Sequence, residues 1–375
     1  MVLKQSFYDD FVCIADRCPS SCCFGLDIEL DKEETNRYFN AESELSKKFL
    51  ARRDDGTSVI KHGESDGGCG FLTKEGLCSL VLKHGEMFLD HTCHVFPRFD
   101  YTYNDIKEKY LSNACPAVLD FLFDHKAPIT FVATDEEDEE YVTRISDENA
   151  AYRDGLIDLM QISGFPLWFK FFLLKRYSDK LENKVGIDVV LGEMNDSSLN
   201  VKIFDLFPEM NVDGKKQLKL LYTILKSVIN EEKRVPNKTT DLLYKCMRNA
   251  DNLLADPDES VLKHWDVFKK EMAKYDSFFE NICVNHLFMH SWYIHIMSEQ
   301  NYTVKNLILE CALIRVTLFL TYLLNDNEIS KDDMFKIIVA YSRMFEHGRE
   351  KTVGFIKENS DHICLSDAAF IEMIL

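Results

Sequence analysis

The sequence predicts a mainly α-helical protein in which a small cysteine-rich domain with short strands precedes an all-α helical domain. Eight of the twelve cysteines fall between positions 13 and 115, and helical spacing of apolar residues dominates the chain after position 145. A chain of 375 residues also exceeds the size at which one hydrophobic core usually keeps growing. We therefore expect two domains, residues 1–130 and 145–375, separated near the acidic run TDEEDEE at 134–140.

The first region alternates short apolar pieces with residues that favour turns. FGLDIELDKEE predicts a short strand that ends near Asp31, followed by a helix with Asp31 as its N-cap. SDGGCGFLTKEGLC predicts a loop between Cys69 and Cys78, because its glycines let the backbone wrap closely around a centre. Pro116 suits the first turn of a helix over PAVLDFLF. We expect short elements joined by loops.

The second region is predicted to be bundle-like. Its helical segments are FPLWFKFFLLKRYSDKL, GKKQLKLLYTILKSVINEEK, TTDLLYKCMRNADNLL, SVLKHWDVFKKEMAKYDSFFENICVNHLFMH and SKDDMFKIIVAYSRMFEHG. The most apolar window, residues 306–324, is long enough to span a bilayer but carries Glu310 and Arg315 near its middle. Because charges are costly inside a membrane, we interpret this window as a buried helix and expect no membrane partner.

Charge and the N-terminal residues limit the partners and the compartment. A net charge of −19 repels phosphate backbones, so we expect no nucleic-acid partner. The charge suits a basic or lysine-bearing protein surface, with solubility as the plainer explanation. The start MVLKQSFYDDFVC lacks the apolar stretch of a secretory signal, which predicts a cytoplasmic protein. Thiols stay reduced there, so the cysteines favour metal or cluster binding over disulfides.

The stretch CIADRCPSSCC at 13–23 carries the strongest chemical signal. Thiolates are soft anionic ligands for zinc and iron, and one turn could bring Cys18 and Cys22 to the same centre. The other cysteines are widely spaced, whereas zinc sites usually use two tight pairs. The spacing therefore suits an iron–sulfur cluster at least as well as zinc. Cysteines that only fill a core are the other interpretation.

Four cysteine segments, in order, resemble the cysteine-rich region of the flagellin lysine-N-methylases, within a broader family of zinc- or iron-chelating cysteine domains. The segments are FVCIADRCPSSCCFGLDIELDKEE, CGFLTKEGLCSL, LDHTCHVFPRF and LSNACPAVLDFL. FFENICVNHLFMHSWY and VAYSRMFEHG resemble later segments of the same family. The gaps from Cys13 to Cys18 and from Cys18 to Cys22 are longer than the broader family's usual C-x2-C-x2-CC pattern.

The resemblance implies a protein lysine N-methyltransferase that transfers methyl groups from S-adenosylmethionine to lysine ε-amines of flagellin or another lysine-bearing protein. It also implies an iron–sulfur cluster, of the 4Fe–4S type, with zinc as the alternative metal. The cysteines that match the family pattern and are the expected ligands are Cys18, Cys22, Cys23, Cys69, Cys78, Cys93 and Cys115, and Cys13 also matches near the start. A non-catalytic, zinc-stabilised protein-binding module and a metal or cluster carrier are the competing hypotheses.

Lysine methylation needs a base and a place for the donor. SRMFEHG puts Arg343, Glu346 and His347 on one side of a helix, where Glu346 or His347 could take the proton, although an ion-paired cluster is the alternative. CHVFPR places His94 and Arg98 beside Cys93, where they could tune that ligand or bind a donor carboxylate.

Two further patterns bear on cofactors. No G-x-G-x-x-G follows a predicted strand, so a Rossmann-type donor site is not expected. Cys283, His286 and His290 share a helical face and could bind a metal, but their apolar surroundings favour a buried histidine pair.

Overall fold

The computed structural model describes residues 1–24, 26, 28–63, 67–134, 147–207, 212–229, 240–290, 300–347, 349–359 and 366–374. Within these ranges the chain is mainly helical, and its short strands all precede residue 135. The predicted order, short strands first and helices after, is confirmed. Most of the acidic run lies outside the described residues, so the domain boundary stays a prediction.

Seven short strands form two sheets in the described part of the N-terminal region. They are β1 Val2–Gln5, β2 Glu29–Leu30, β3 Leu50–Arg52, β4 Ser58–Ile60, β5 Arg98–Tyr103, β6 Ile106–Leu111 and β7 Phe131–Thr134. The first sheet has the order β5-β6-β1-β7, with β1 parallel to β6 and antiparallel to β7. The second is antiparallel, with the order β2-β4-β3.

Short helices alternate with these strands. They are α1 Lys32–Ala41, α2 Ser43–Phe49, α3 Ser79–His84, α4 His91–Val95 and α5 Pro116–Asp124. The predicted N-cap is confirmed, because Asp31 Oδ1 accepts from the Glu34 amide over 2.7 Å while Glu34 Oε2 accepts from the Asp31 amide over 2.9 Å. Pro116 begins α5, as predicted.

Helices alone make up the regular structure of the described residues from 147 onwards. They are α6 Asp147–Gln161, α7 Leu167–Glu182, α8 Ile187–Met194, α9 Ser197–Phe204, α10 Gly214–Val228, α11 Asp241–Leu254, α12 Glu259–Met272, α13 Asp276–Met289, α14 Gln300–Leu324, α15 Lys331–His347, α16 Arg349–Glu358 and α17 Asp367–Ile374. Each of the five segments predicted from helical spacing contains at least one of these helices, to within one residue at the helix ends.

Helix α14 lies at the centre of the helical region. It packs against α7, α10, α11, α15 and α17. Among the described residues it is the one helix, Asn301–Leu324, long and apolar enough to cross a membrane by length and composition alone. In this fold 78% of its most apolar window is buried inside the protein.

Two hydrophobic cores organise the molecule. A small core lies beneath the cysteine loops and consists of Leu26, Ile28, Leu30, Tyr38, Leu50, Ile60, Phe71 and Leu80. A large core fills the helical region and also takes in Phe11, Leu111 and the apolar face of α5. Because α5 packs against α13 and α15, the end of the cysteine-rich region is held directly against the helices.

Candidate functional site

The cysteine loops converge above the small core. Cys22, Cys69, Cys78 and Cys93 all pack against that core. The amide of Cys69 donates to the Cys23 carbonyl over 2.7 Å, which ties the first cysteine stretch to the following loop. Burial raises the pKa of the thiols of Cys69, Cys78 and Cys93, and the neighbouring Cys23 adds to each shift. Five of the predicted ligands therefore share one region.

The other two predicted ligands, Cys18 and Cys115, lie near each other. Cys115 is the N-cap residue of α5 and is buried. Burial raises the pKa of its thiol to about 12, and the nearby Cys18 and Cys13 contribute in the same direction. Cys13 is exposed. The predicted set thus divides into five thiols around Cys23 and two beside α5.

The thiols of Cys22 and Cys23 differ in pKa although the two residues are adjacent. A hydrogen bond between the two thiols lowers the pKa of Cys23 and raises that of Cys22. Ser21 and Arg343 also lower the pKa of Cys23. Cys23 is therefore the thiol of the pair that ionises first, and a thiolate is the form that binds metals.

The loop between Cys69 and Cys78 is tight, as its glycines predicted. Leu72 and Cys78 form an isolated antiparallel bridge across it. A Cβ atom at Gly70 would clash with the ring of Phe49, so this position requires glycine. Residues 64–66, in and beside the preceding glycine-rich stretch, lie outside the described residues.

The thiols supply suitable donors without a preformed coordination geometry. The described side chains include no group of three or more His, Cys, Asp or Glu placed to hold a metal ion. Thiol chemistry and proximity fit a metal or cluster, whereas the present side-chain positions would have to change to bind one. The ligand set of seven cysteines therefore stays a prediction.

Arg343, from α15, fastens the first cysteine stretch to the helical region. Its Nη2 donates to the Ser20 carbonyl and its Nη1 to the Phe24 carbonyl, both over 2.8 Å. Nη1 also lies 3.3 Å from the Ser21 carbonyl, and Nε 3.3 Å from the Ala114 carbonyl. One buried guanidinium thus holds both sides of the cysteine region, which gives this arginine a structural role.

Glu346 lies one turn further along α15 and accepts a hydrogen bond from the hydroxyl of Ser112. Its other oxygen, Oε1, is closed off from solvent and has no hydrogen-bond partner among the described residues. Burial raises the pKa of this carboxyl to about 8, and the Ser112 hydrogen bond lowers it only in part. Near neutral pH the group can therefore hold or release a proton.

A second buried carboxyl, Glu310 of α14, lies close to Glu346. Its Oε1 accepts from the Ser342 hydroxyl over 3.0 Å, and its Oε2 is 3.3 Å from His286 Nδ1. Burial raises the pKa of Glu310 to about 7. The Glu310 carboxylate adds to the rise in the Glu346 pKa that burial causes.

His347, the other predicted base, ends α15, and its side chain lies outside the described part of the structure. The structure therefore brings Arg343 and Glu346 to the cysteine region and gives no position for the imidazole. The role of His347 stays a prediction.

His94 and Arg98 line a cavity of about 580 Å³ beside the Cys93 helix. Nδ1 of His94 is buried without a hydrogen-bond partner among the described residues. Arg98 Nη2 donates to the Phe11 carbonyl over 3.0 Å, and its guanidinium lies 4.8 Å from the centre of the Phe11 ring. His94 and Arg98 thus line one cavity, and Arg98 already contacts Phe11.

Cys283, His286 and His290 are buried. The two imidazole rings stack with centres 4.1 Å apart, and Cys283 Sγ lies 3.8 Å from Cys311 Sγ on α14. These contacts agree with the interpretation as a buried histidine pair.

Sequence reasoning missed the partners that the fold supplies. Ser112 contacts Glu346 across 234 positions, and in the sequence Glu310 shows only as a charge in an apolar helix. Asp90, the N-cap of α4, accepts from the Cys93 amide over 2.8 Å and adds to the rise in the Cys93 pKa caused by burial. The LDHTC stretch contained the only local signal, an N-cap aspartate three residues before a cysteine.

A family model described as the FliB lysine N-methylase C-terminal domain matches residues 153–367. The matched region includes Arg343 and Glu346, while the cysteine loops precede it. This match agrees with the resemblance of the cysteine segments to the flagellin lysine-N-methylases. Comparisons with curated proteins and with solved structures find no match.

Proposed function

Because this chain belongs to the FliB lysine N-methylase family, we propose that it transfers methyl groups from S-adenosylmethionine to lysine ε-amines of flagellin. The match over residues 153–367 is the observation that carries the proposal. It spans more than half of the chain and contains the buried carboxyl of Glu346.

Glu346 is the base in this proposal. A lysine ammonium has a pKa of about 10.4 and an ordinary glutamate about 4.3, so proton transfer between them costs about 8 kcal/mol. With the pKa of Glu346 raised to about 8, the cost falls to about 3 kcal/mol. Its unpartnered Oε1, which is closed off from solvent in the free protein, is the atom that would accept the proton once the lysine side chain has reached it.

With Glu346 as the base, the lysine loses a proton before its nitrogen takes the methyl group. The lysine ammonium gives its proton to Glu346, and the neutral nitrogen attacks the methyl carbon of the donor. The carbon–sulfur bond breaks, and its electron pair stays on sulfur, which leaves as the neutral thioether of S-adenosylhomocysteine. Glu346 then returns its proton to solvent.

We propose that the donor occupies the cavity of about 580 Å³ lined by His94 and Arg98. A volume of this size lies within the range of about 300–1,000 Å³ that small-molecule sites occupy. The cation of Arg98 suits the donor's carboxylate, and His94 lines the same space.

An iron–sulfur cluster is proposed for the cysteine loops. The candidates around Cys23 are Cys22, Cys69, Cys78 and Cys93, with Cys18 and Cys115 adjacent. Convergence of the thiols and the lowered pKa of Cys23 support this proposal. A cluster bound there would cross-link the loops. A reducing cytoplasm would keep the thiols free of disulfides and so available to bind it.

The test measures methyl transfer to purified flagellin by the anaerobically prepared protein at several pH values. We expect transfer by the wild type to rise with pH to a plateau above about pH 8, and Glu346→Gln to reduce the rate by about 10²-fold or more. Flagellin with acetylated lysines is the matched control. Absence of transfer by cluster-loaded protein would contradict the proposal, and anaerobically prepared protein that contains stoichiometric zinc and no sulfide would favour the binding-module hypothesis instead.

A further inference from the structure

A second cavity, of about 290 Å³, lies within the helical region and is independent of the site above. None of the predicted cysteine ligands lines it, and neither Glu346 nor Arg98 does so. Its walls are mostly apolar and aromatic, and they come from α7, α12, α13, α14 and α17. They include Trp168, Phe171, Phe268, Phe279 and Ile308.

Arg315, from α14, places a cation at the wall of this cavity. Its Nε and Nη2 are closed off from solvent and make no hydrogen bond to any residue that the structure describes. The guanidinium lies 5.1 Å from the centre of the Trp265 ring. Burial lowers its pKa to about 10. Because guanidinium nitrogens that are closed off from solvent without a hydrogen-bond partner are costly, this arginine is suited to receive an anionic group.

Asp276, the first residue of α13, places a carboxyl at the same cavity. Burial and the nearby Glu280 raise its pKa to about 6, against the attraction of Lys170 and Arg315. Lys170, which attracts it, pairs with Glu280 instead, and no ion pair to Asp276 is seen among the described residues. A third charged residue of the cavity, Lys269, is already engaged by Asp266 at 3.2 Å. The cavity therefore presents a cation and an acid that attract each other without forming a direct ion pair, in apolar surroundings.

We propose that this cavity binds a free apolar α-amino acid. Its carboxylate would pair with Arg315, its ammonium with Asp276, and its side chain would lie against the aromatic wall around Trp168. A simple apolar anion would be repelled by the carboxylate of Asp276, whereas a zwitterion pairs with both Arg315 and Asp276. The volume falls just below the usual range for drug-sized ligands, about 300–1,000 Å³, which favours a molecule as small as an amino acid.

The size of the cavity also separates this ligand from the methyl donor. S-adenosylmethionine carries an α-amino-carboxylate too, but its adenosine needs more space, such as the cavity of about 580 Å³ at His94 and Arg98. The experiment therefore compares a free amino acid directly with S-adenosylhomocysteine.

Calorimetric titration of the full chain with L-phenylalanine tests the proposal, with phenethylamine and 3-phenylpropanoate as ligands that keep only one charge. We expect L-phenylalanine to bind at least about tenfold more tightly than either, the loss expected for one charge-assisted hydrogen bond. Arg315→Met and Asp276→Asn should each weaken binding by about tenfold. Arg176→Met, at an arginine that pairs with Glu193 and does not line the cavity, should leave affinity unchanged.

A second measurement needs no variant. Cys311 lines the cavity, and Cys13 is exposed elsewhere. L-phenylalanine should slow alkylation of Cys311 by iodoacetamide and leave the rate at Cys13 unchanged. Absence of both saturable heat and protection, equal binding of 3-phenylpropanoate, or tighter binding of S-adenosylhomocysteine at this cavity would each overturn the proposal.

Discussion

The guanidinium of Arg343 donates to the carbonyl of Ser20 over 2.8 Å, joining residues 323 positions apart. This contact links the last long helix of the family-matched region to the loop that carries Cys18, Cys22 and Cys23. The same helix carries Glu346, so one element both anchors the cysteine loop and presents the proposed base.

Replacing Arg343 with methionine should loosen that loop. The carbonyls of Ser20, Phe24 and Ala114 would lose a charged donor, and we expect a loss of about 3 kcal/mol or more in the free energy of unfolding. Hydrogen exchange of residues 18–24 should also become faster. Arg343→Lys keeps the charge but lacks the planar guanidinium, so its free energy of unfolding should lie between those of the wild type and Arg343→Met. Unchanged exchange in Arg343→Met would show that the loop is held by other contacts.

Single cysteine replacements should separate ligands from bystanders. We expect Cys18→Ala and Cys22→Ala to lose the iron and sulfide of anaerobically prepared protein and to destabilise residues 1–128. Cys13 is exposed, so Cys13→Ala should retain most of both. Cys246→Ala, in the helical core, is a second control. Iron content in Cys22→Ala equal to that of the wild type would contradict the ligand assignment.

The stability of the protein should fall as pH rises through neutrality. The Glu346 pKa is about 8 in the folded state and about 4.3 when unfolded, so the folded state binds the extra proton between these values. The stabilisation is complete below about pH 4 and lost as pH rises through about 8. Glu346→Gln cannot ionise and should reduce this fall, by up to about 5 kcal/mol.

Urea denaturation at several pH values measures that effect. Glu358→Gln, at an exposed glutamate, is the matched control and should behave as the wild type. Identical pH profiles for the wild type and Glu346→Gln would show that Glu346 does not titrate in this range.

The donor cavity makes a kinetic prediction. Arg98→Met should raise the KM for S-adenosylmethionine by about tenfold with a smaller effect on kcat, because the lost contact binds the donor equally in the ground and transition states. Arg53→Met, at an exposed arginine paired with Glu29, should change neither constant. An unchanged KM in Arg98→Met would place the donor elsewhere.

Local sequence signals predicted local structure well. Helical spacing identified α7, α10, α11 and α15, and the cap at Asp31 and the start at Pro116 follow from chemistry within one turn. The clustering of cysteines also anticipated a shared region. These features depend on neighbours within a few positions, which the sequence displays directly.

Long-range pairs were not predictable in this way. The sequence offered Glu346 as a base, but its partner Ser112 precedes it by 234 positions, and the closeness of Glu310 depends on how α14 crosses α15. The raised pKa of Glu346 comes mainly from burial, which helical spacing alone does not specify. The cavity at Arg315 likewise arises only when five helices pack together.

The most direct test of the central claim is tandem mass spectrometry of flagellin after incubation with the anaerobic protein and S-adenosylmethionine bearing a deuterated methyl group. We expect labelled methyl groups on lysine ε-nitrogens with the wild type and strongly reduced labelling with Glu346→Gln. Unlabelled lysines after incubation with cluster-loaded wild type, or label on residues other than lysine, would contradict it.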